Sequence, residues 1–404
     1  MNKEEALRHA LSLVDQEYIV RIRREIHEYP ELEFDLPRTL AVVRRELDAM
    51  GISYTEKYGK SSIVAVLNPE KTAFTIGLRA DMDALPLTEK TGLPFASKID
   101  GQMHACGHDA HTAILLGTAK ALVAVKDQLD CRVKLLFQAC EEVRGGAEYM
   151  VRDGVMDDID IILGLHVDNM IPTGSIGLCP GYAMASSTPI DVVFEGQSTH
   201  ATRPQTGKDA LAMAVKAYND IQLMLTREMN PFDQFVCSVS ALNAGFTHNI
   251  IADRAEMKIS VRAYKTRVSD FIVERIKLLC SHAAEELGGK VTVSGEMSAY
   301  PVYNDPAITE KLRLAAIEIA GEACVKNIHP SMGSEDFSHF LTKKPGGYFL
   351  LGTRNEAKGC TKGVHNTDFI PDEDAFEVGS KVFIQFVFDN MKGVSGTEAV
   401  ADQP

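Results

Sequence analysis

Residues whose side chains can bind a metal are concentrated in the segment 103–111, which contains one thiol, three imidazoles and one carboxylate. A single glycine separates Cys106 from His108 and allows a tight turn that would bring the two side chains together. Zinc accepts sulfur, nitrogen and oxygen ligands in one site. We therefore predict that Cys106 and His108 bind a metal, in preference to the alternative of a buried thiol beside a surface histidine. For the flanking His104 and His111 a structural or ligand-orienting role is favoured over direct binding.

A pair of adjacent glutamates follows later in the chain, Glu141 and Glu142. Two neighbouring side chains after a strand cannot point the same way, so one carboxylate can bind the metal while the other faces a substrate water. Metal-assisted hydrolysis needs such a base beside the metal, which also keeps the carboxylate ionised. The alternative is a solvated helix start. Together with the thiol and imidazoles, the pair predicts a metallohydrolase.

Local patterns place these residues on an α/β fold. Short apolar runs rich in strand formers alternate with helical segments, which predicts a mainly parallel sheet with helices on both faces. The predicted strands are 63–67, 74–79, 132–138 and 159–165, and the predicted helices between them are 111–123 and 146–152. Candidate polar residues follow three of these strands: Asp81 and Asp83, the glutamate pair, and His166. Open α/β sheets bind ligands at the carboxyl ends of their strands, so these residues are predicted to share one site.

The composition changes near residue 186. From there to residue 297 the pattern is strand, helix, strand, strand, helix, strand, the order of a small ferredoxin-like α+β unit. If His365 belongs with His108, this unit is inserted into the first domain. We therefore predict a discontinuous catalytic domain of residues 1–185 and 298–392, an inserted domain of residues 186–297, and a disordered tail of residues 393–404.

Several further polar residues give weaker signals by themselves. Asp83 could orient a metal-binding histidine, although aspartates are also common in turns. His200, Asn249 and Arg262 are unremarkable within the inserted unit. The segment around Ser334 is typical of a helix cap.

Bulk properties exclude some classes of protein. A formal net charge of −14 argues against nucleic acid as a partner, because phosphate backbones need a basic surface. The sequence has no apolar run long enough to span a bilayer and no signal peptide pattern, which predicts no membrane partner and a cytoplasmic location. The eight cysteines are scattered without regular spacing, which favours a reducing compartment over a disulfide framework.

In this order the motifs resemble those of the two-metal aminoacylase and carboxypeptidase-type amidohydrolases. Within that family they are most similar to hippurate hydrolases, bacterial N-acyl-amino-acid amidohydrolases and plant auxin-conjugate hydrolases. The resemblance covers nearly the whole chain. Its motifs are the segments 27–32, 78–86, 106–111, 141–142, 164–166, 199–201, 249–251, 332–337 and 365–366.

The resemblance implies a zinc-exopeptidase-like catalytic domain with an inserted lid and dimerisation domain. It implies two divalent metal ions, zinc or manganese with cobalt also allowed. The implied metal ligands are Cys106, His108, Glu142, His166 and His365. Glu141 would be the general base and Asp83 would match the family's supporting aspartate, while His200 would stabilise the oxyanion, in some relatives from a partner subunit. Asn249 and Arg262 would contact the substrate's backbone or carboxylate. Other branches have a histidine ligand where this chain has Asp81, so ligation is not carried over to Asp81.

The expected activity is hydrolysis of N-acyl-L-amino acids to a carboxylic acid and a free amino acid, with Glu141 as the base for an attacking water. A dipeptidase or carboxypeptidase of the same family is the nearest alternative. Two alternatives of other classes are a metal-binding protein that has lost catalysis and a structural zinc protein. An exposed edge strand in the inserted unit would allow a homodimer or higher homo-oligomer.

Overall fold

The computed structural model describes residues 2–394, so residues 395–404 of the predicted tail lie outside the described part of the chain. The helices are α1 (Lys3–Ser12), α2 (Gln16–His27), α3 (Pro37–Met50), α4 (His108–Val123), α5 (Gly146–Arg152), α6 (Ala210–Arg227), α7 (Thr266–Glu286), α8 (Pro306–Ala320), α9 (Ser338–Leu341) and α10 (Phe376–Asn390). The strands are β1 (Tyr54–Thr55), β2 (Ile63–Leu67), β3 (Thr75–Asp81), β4 (Arg132–Gln138), β5 (Ile161–Pro172), β6 (Ile176–Leu178), β7 (Gly181–Met184), β8 (Thr188–Glu195), β9 (Phe235–Ala244), β10 (Arg254–Ala263), β11 (Lys290–Gly295), β12 (Val302–Asn304), β13 (Val325–Asn327) and β14 (Gly346–Arg354).

These elements form two compact units. Within the described residues, the first unit comprises 2–183, 303–330 and 336–394, and the second comprises 184–302 and 331–335. The boundaries predicted from sequence lay at 185/186 and 297/298, and the predicted inserted domain did not include the short segment 331–335.

The first unit is built on one large mixed sheet. Within the described residues it has eight strands in the order β1-β2-β4-β3-β5-β14-β6-β13. Its centre is parallel, since β3 pairs in parallel with β4 and β5, and β5 pairs in parallel with β14. Strand β3 is buried at every position and α4 is buried on almost all sides, which explains their continuous apolar sequences. The predicted α/β class with a mainly parallel sheet is confirmed.

The second unit has a four-stranded antiparallel sheet in the order β11-β8-β10-β9. Buried and more exposed positions alternate along β8 and β10, because one face of the sheet packs on α6 and α7. The chain order β8, α6, β9, β10, α7, β11 is the strand and helix order of the predicted ferredoxin-like unit. No helix in the described part of the chain combines the length and apolar character needed to cross a membrane.

Candidate metal centre and active site

The carboxyl ends of adjacent parallel strands bring the candidate residues together. Asp81 ends β3, and Glu141 and Glu142 follow β4 after two intervening residues. His108 is the first residue of α4, whereas the predicted helix began at residue 111. The helix starts earlier because Gly107 adopts a φ of 90°, which lets the chain turn directly into it.

His166 lies inside β5 and not, as predicted, just after a strand. The predicted strand ended at residue 165, but β5 continues to Pro172 because β14 stays paired with it as far as Arg354. The register with β3 on the other side stops earlier, at Arg79 opposite Gly164. His166 therefore stands beyond the point at which β5 is paired with β3.

Five side chains that were predicted as metal ligands form two groups that share one sulfur. The ligand atoms of Cys106, His108 and His166 all lie within 4.8 Å of one another, and so do those of Cys106, Glu142 and His365. Cys106 Sγ is 3.3 Å from His166 Nε2, and Glu142 Oε1 is 3.4 Å from His365 Nε2. Two adjacent groups with a common thiol form an arrangement that can hold two cations side by side.

Buried atoms without protein partners support this interpretation. Among the described residues, both ring nitrogens of His108 and the Oε1 atom of Glu142 are buried without a hydrogen bond. Buried polar atoms are normally paired, so Nε2 of His108, whose nearest carboxylate oxygens are 3.8 Å away, and Oε1 of Glu142 require a closer partner than the protein supplies, whereas Nδ1 of His108 has Asp83 Oδ1 at 3.4 Å. A divalent cation would be that partner, and the sulfur, nitrogen and oxygen donor set suits zinc.

The electrostatics of the group also favour a cation. Burial raises the pKa of the Cys106 thiol well above its ordinary value, so a metal is needed to hold it as thiolate. Burial opposes a charge on His108, but the Asp81 carboxylate and the Cys106 sulfur raise its pKa well above the usual value. Burial likewise opposes a charge on Glu142, yet His365 and then His108 lower its pKa. The surrounding acids thus stabilise positive charge at this point.

Asp83 supports more of the site than the sequence indicated. Its Oδ1 atom accepts the backbone N–H of Glu141 at 2.9 Å, and its Oδ2 atom accepts that of Glu142 at 3.1 Å. The same Oδ1 is 3.4 Å from Nδ1 of His108. One buried carboxylate therefore positions both glutamates as well as the histidine for which it was predicted.

Glu141 lies beside the predicted ligands. Its carboxylate is within 4.8 Å of the ligand atoms of His108 and Glu142. The N–H of Asp336 lies 3.4 Å from Glu141 Oε1. The preceding residue, Cys140, has a φ of 59°, a conformation that is uncommon for a residue other than glycine. Such local strain is typical of functional sites, and here it directs two consecutive glutamates to one place.

His365 lies on a long loop that is held in place by its own hydrogen bonds. The residue has a φ of 61°, and its N–H donates to the carbonyl of Ala105 at 2.8 Å. The buried side-chain amide of Asn169 donates to the carbonyls of Lys362 at 2.7 Å and Ile370 at 2.9 Å. These contacts hold both sides of the loop, and no sequence motif indicated the role of Asn169.

In the second unit, His200 and Asn249 lie on paired loops. The N–H of Ala201 donates to the carbonyl of Asn249 at 3.0 Å. His200 and Ile250 form an isolated antiparallel β-bridge. Nδ1 of His200 accepts the backbone N–H of Thr202 at 3.2 Å. That nitrogen must therefore be unprotonated in the neutral ring, which leaves the proton on Nε2 as a hydrogen-bond donor.

Arg262 lies on β10 of the second unit, and burial lowers its pKa. Its Nη1 donates to the hydroxyl of Ser334 at 2.7 Å, and its Nε donates to Ser260 at 3.4 Å. The segment around Ser334, predicted as a helix cap, does not cap α9, which begins at Ser338 without a side-chain cap, but its Asp336 accepts the N–H of Ala147 in the first turn of α5 at 2.9 Å.

Comparisons with known proteins agree with these observations. A family model described as Peptidase family M20/M25/M40 matches residues 77–389. The chain is 36% identical over 369 residues to thermostable carboxypeptidase 1 of Saccharolobus solfataricus, covering 90% of this chain and 93% of that protein. It is 36% identical over 351 residues to an N-acetyl-L-cysteine deacetylase of Bacillus subtilis, covering 87% of this chain and 84% of that one.

A solved structure of the same family has a similar fold. A crystal structure described as a dinuclear metal-binding peptidase of the M20 family from Bacillus subtilis superimposes with a TM-score of 0.79 at 30% identity, covering 93% of this chain and 98% of that one. The family resemblance drawn from the motifs is confirmed. The chain belongs to peptidase family M20/M25/M40 and is a metal-dependent hydrolase of amide bonds.

Proposed function

We propose that this protein hydrolyses N-acyl-L-amino acids to a carboxylic acid and a free amino acid, using two divalent cations. The observation that carries the proposal is the position of the Glu141 carboxylate, within 4.8 Å of the ligand atoms of His108 and Glu142. Acid–base catalysis of this kind requires a carboxylate that is adjacent to the cations. The proposed ligands are Cys106, His108, Glu142, His166 and His365. Zinc suits the thiolate best, with manganese or cobalt as alternatives.

The cations, when bound, would supply Lewis acidity and lower the pKa of an attacking water. Glu141 would take the proton from that water and later return it to the leaving amine. Asp83 would hold the backbone of Glu141 at a fixed angle through the 2.9 Å bond to its N–H. His200 would donate its Nε2–H to the developing oxyanion, from its own subunit or from a partner.

The second unit would recognise the amino-acid part of the substrate. Arg262 is half-buried, and the hydroxyls of Ser334 and Ser260 that accept its hydrogen bonds are neutral. These bonds orient the guanidinium without compensating its charge, which suits a substrate carboxylate. Asn249, next to the His200 loop, would contact the substrate's backbone.

In this proposal the first unit performs catalysis, and the second serves as lid and dimerisation domain. Strand β9 is at one edge of the second sheet and offers unpaired backbone groups to a twin subunit. We propose a homodimer or a higher homo-oligomer on this basis. Light scattering of the purified protein would test it, and a monomeric mass at micromolar concentration would contradict it.

A carboxypeptidase or dipeptidase activity is the second candidate, because one relative of similar identity is a thermostable carboxypeptidase. Release of amino acids from N-acetyl, N-benzoyl and indole-acetyl amino acids, compared with release from free dipeptides, separates the two. We expect chelator-sensitive release from the blocked amides, restored by zinc, manganese or cobalt. Cleavage of dipeptides alone would favour the peptidase.

The catalytic assignment is tested by Glu141→Gln. Because the amide cannot take up a proton, turnover is expected to fall by about 10²–10⁴-fold while metal content is unchanged. The exposed Glu70→Gln is the matched control and should keep full activity. Retained turnover in Glu141→Gln would show that another group is the base. An inactive wild-type protein with both metals bound would favour a binding protein that has lost catalysis.

A further inference from the structure

Asp81 occupies the position at which other branches of the family have a histidine ligand, but its carboxylate is already engaged. It is completely buried, and Oδ1 lies 2.6 Å from Nδ1 of His111 while Oδ2 accepts a 2.6 Å hydrogen bond from Nη1 of Arg79. Nε2 of His108 is 3.8 Å from Oδ2, farther than either donor. A ligand atom of Asp81 lies within 4.8 Å of those of His108 and His111, but both oxygens of Asp81 already accept short hydrogen bonds from protein donors.

His111 links Asp81 to β5 through hydrogen bonds on both sides of its ring. Its Nε2 accepts the backbone N–H of Val167 at 3.0 Å. A backbone amide can only donate, so Nε2 must be unprotonated and the ring proton must be on Nδ1, where it donates to Asp81. The hydrogen bonds on the two sides of the ring thus determine one tautomer and one ring orientation.

The N–H of Val167 needs this partner because β5 is no longer paired with β3 at that point. The pairing of β3 with β5 ends at Arg79 opposite Gly164, and Val167 is fully buried beyond that point. The imidazole of His111 takes the place of the missing strand for this N–H. On the same residue, Cγ2 of Val167 fills the space in which a side chain on Gly107 would stand. Val167 is therefore held from two directions, by α4 and by the turn before it.

His166, the neighbour of Val167, is aimed by the same arrangement. Its Nδ1–H donates to the carbonyl of Val167 at 2.7 Å, which leaves Nε2 facing Cys106 Sγ at 3.3 Å. The rings of His111 and His166 also meet edge to face, with centroids 4.6 Å apart. Any shift of Val167 would consequently move the nitrogen that faces the thiol.

We propose that Asp81 and His111 are a positioning pair that fixes His166 through the N–H of Val167, and that neither residue binds the metal. This inference rests on the proposed function only in taking His166 as a metal ligand. It assigns to Asp81 a role different from that of the histidine found at its position in other branches. Arg79 completes the chain of contacts by holding the second oxygen of Asp81.

Two substitutions of His111 separate its two hydrogen bonds. His111→Gln places a carboxamide oxygen near the former Nε2 and can still accept the N–H of Val167. His111→Asn places its amide near the former Nδ1 and keeps only the bond to Asp81. We expect His111→Asn to bind cobalt about 10–100-fold more weakly than wild type, with an altered visible absorption spectrum, and His111→Gln, which keeps the Val167 bond but loses the bond to Asp81, to be weakened clearly less. Both variants should retain two equivalents of metal at saturation.

Other outcomes would overturn the proposal. Loss of one equivalent of metal in both variants would make His111 a ligand, and equal weakening without loss of an equivalent would reduce it to a structural residue. Wild-type affinity and spectrum in His111→Asn would show that the Val167 bond is unimportant. Because cobalt binding is measured without substrate, a failure of the acyl-amino-acid panel has no effect on this comparison.

A measurement on the wild-type protein avoids the risk that a variant does not fold. The bond from Val167 to His111 involves no metal, so we expect the Val167 amide to exchange slowly with solvent even after chelation. Fast exchange of this amide in the chelated, folded protein would overturn the proposal.

Discussion

His108 and His365 are proposed ligands of the same centre, yet the protein builds their surroundings in opposite ways. The His108 side chain is fully buried, whereas that of His365 is 52% exposed. His108 begins a long helix next to two buried aspartates. His365 stands on an irregular loop with a φ of 61°. We refer to these two parts of the centre as the buried side and the loop side.

The two sides are held by different kinds of contacts. On the buried side, Asp81 contacts His111 of α4, and Asp83 accepts the backbone N–H groups of Glu141 and Glu142. These contacts lie within a few residues of the proposed ligands. On the loop side the anchors are more distant in sequence. Asn169 holds the loop through two carbonyls, and its own orientation is determined because its Oδ1 accepts a 2.7 Å hydrogen bond from Thr353.

We infer from this difference that the ligands of the buried side are already in place before a metal binds. On the loop side, His365 becomes ordered when the metal binds. Buried hydrogen bonds keep the first set of ligands in place without help. An exposed histidine on a loop has fewer restraints and gains more order from a bound cation. Three substitutions test this contrast.

Gly107→Ala should damage the buried side most. The added methyl group would overlap Cγ2 of Val167, and the φ of 90° disfavours any side chain. Overpacking and left-handed strain together should lower the free energy of unfolding by about 2–5 kcal/mol, measured by urea titration. Gly363→Ala on the loop side is the matched control, since a methyl group there meets nothing within 4 Å. It should change stability by less than about 1 kcal/mol. Equal losses of unfolding free energy in the two variants would show that the buried side is no more tightly packed than the loop side.

Asn169→Asp should loosen the loop side alone. The new carboxylate cannot donate to the carbonyls of Lys362 and Ile370, so two partly buried hydrogen bonds become repulsive contacts. We expect the opening free energy of the loop 360–370 to fall by about 1–3 kcal/mol, seen as faster hydrogen exchange there and unchanged exchange in β3. Asn243→Asp, on an exposed position of β9, is the control. Unchanged exchange in the loop would show that Asn169 is not its anchor.

The loop side should also respond to acid through Asp372. Burial opposes its charge, but bonds from Lys358, Asn355 and Thr173 lower its pKa below the ordinary 3.8. A depressed pKa in the folded state stabilises the protein above the unfolded value, and this contribution is lost as pH falls through the folded pKa. Asp372→Asn should therefore cost about 1 kcal/mol at neutral pH and progressively less below about pH 4.

Chemical denaturation of wild type and Asp372→Asn across this range measures the difference directly. The exposed Asp127→Asn serves as the control and should show a small difference that does not vary with pH. A stability difference for Asp372→Asn that grows on acidification would contradict the sign of the pKa shift.

Several elements could be predicted from local patterns in the sequence with the bounds that the structure has. The predicted bounds 63–67, 132–138 and 146–152 are those of β2, β4 and α5, because strand and helix patterns are local properties of the chain. The fold class and the family could also be inferred, since the motifs follow one another in a diagnostic order.

The contacts between particular side chains depend on how distant segments of the chain pack. Asp81 and Asp83 are two residues apart and equal in chemistry, yet one contacts Arg79 and His111 and the other the glutamate pair. Asn169 meets carbonyls about 200 positions later in the chain. The Ser334 hydroxyl, which lies in a segment predicted as a helix cap, is bonded to an arginine 72 positions away. Such partners are selected by the packing of distant segments, and no local pattern of residues contains that information.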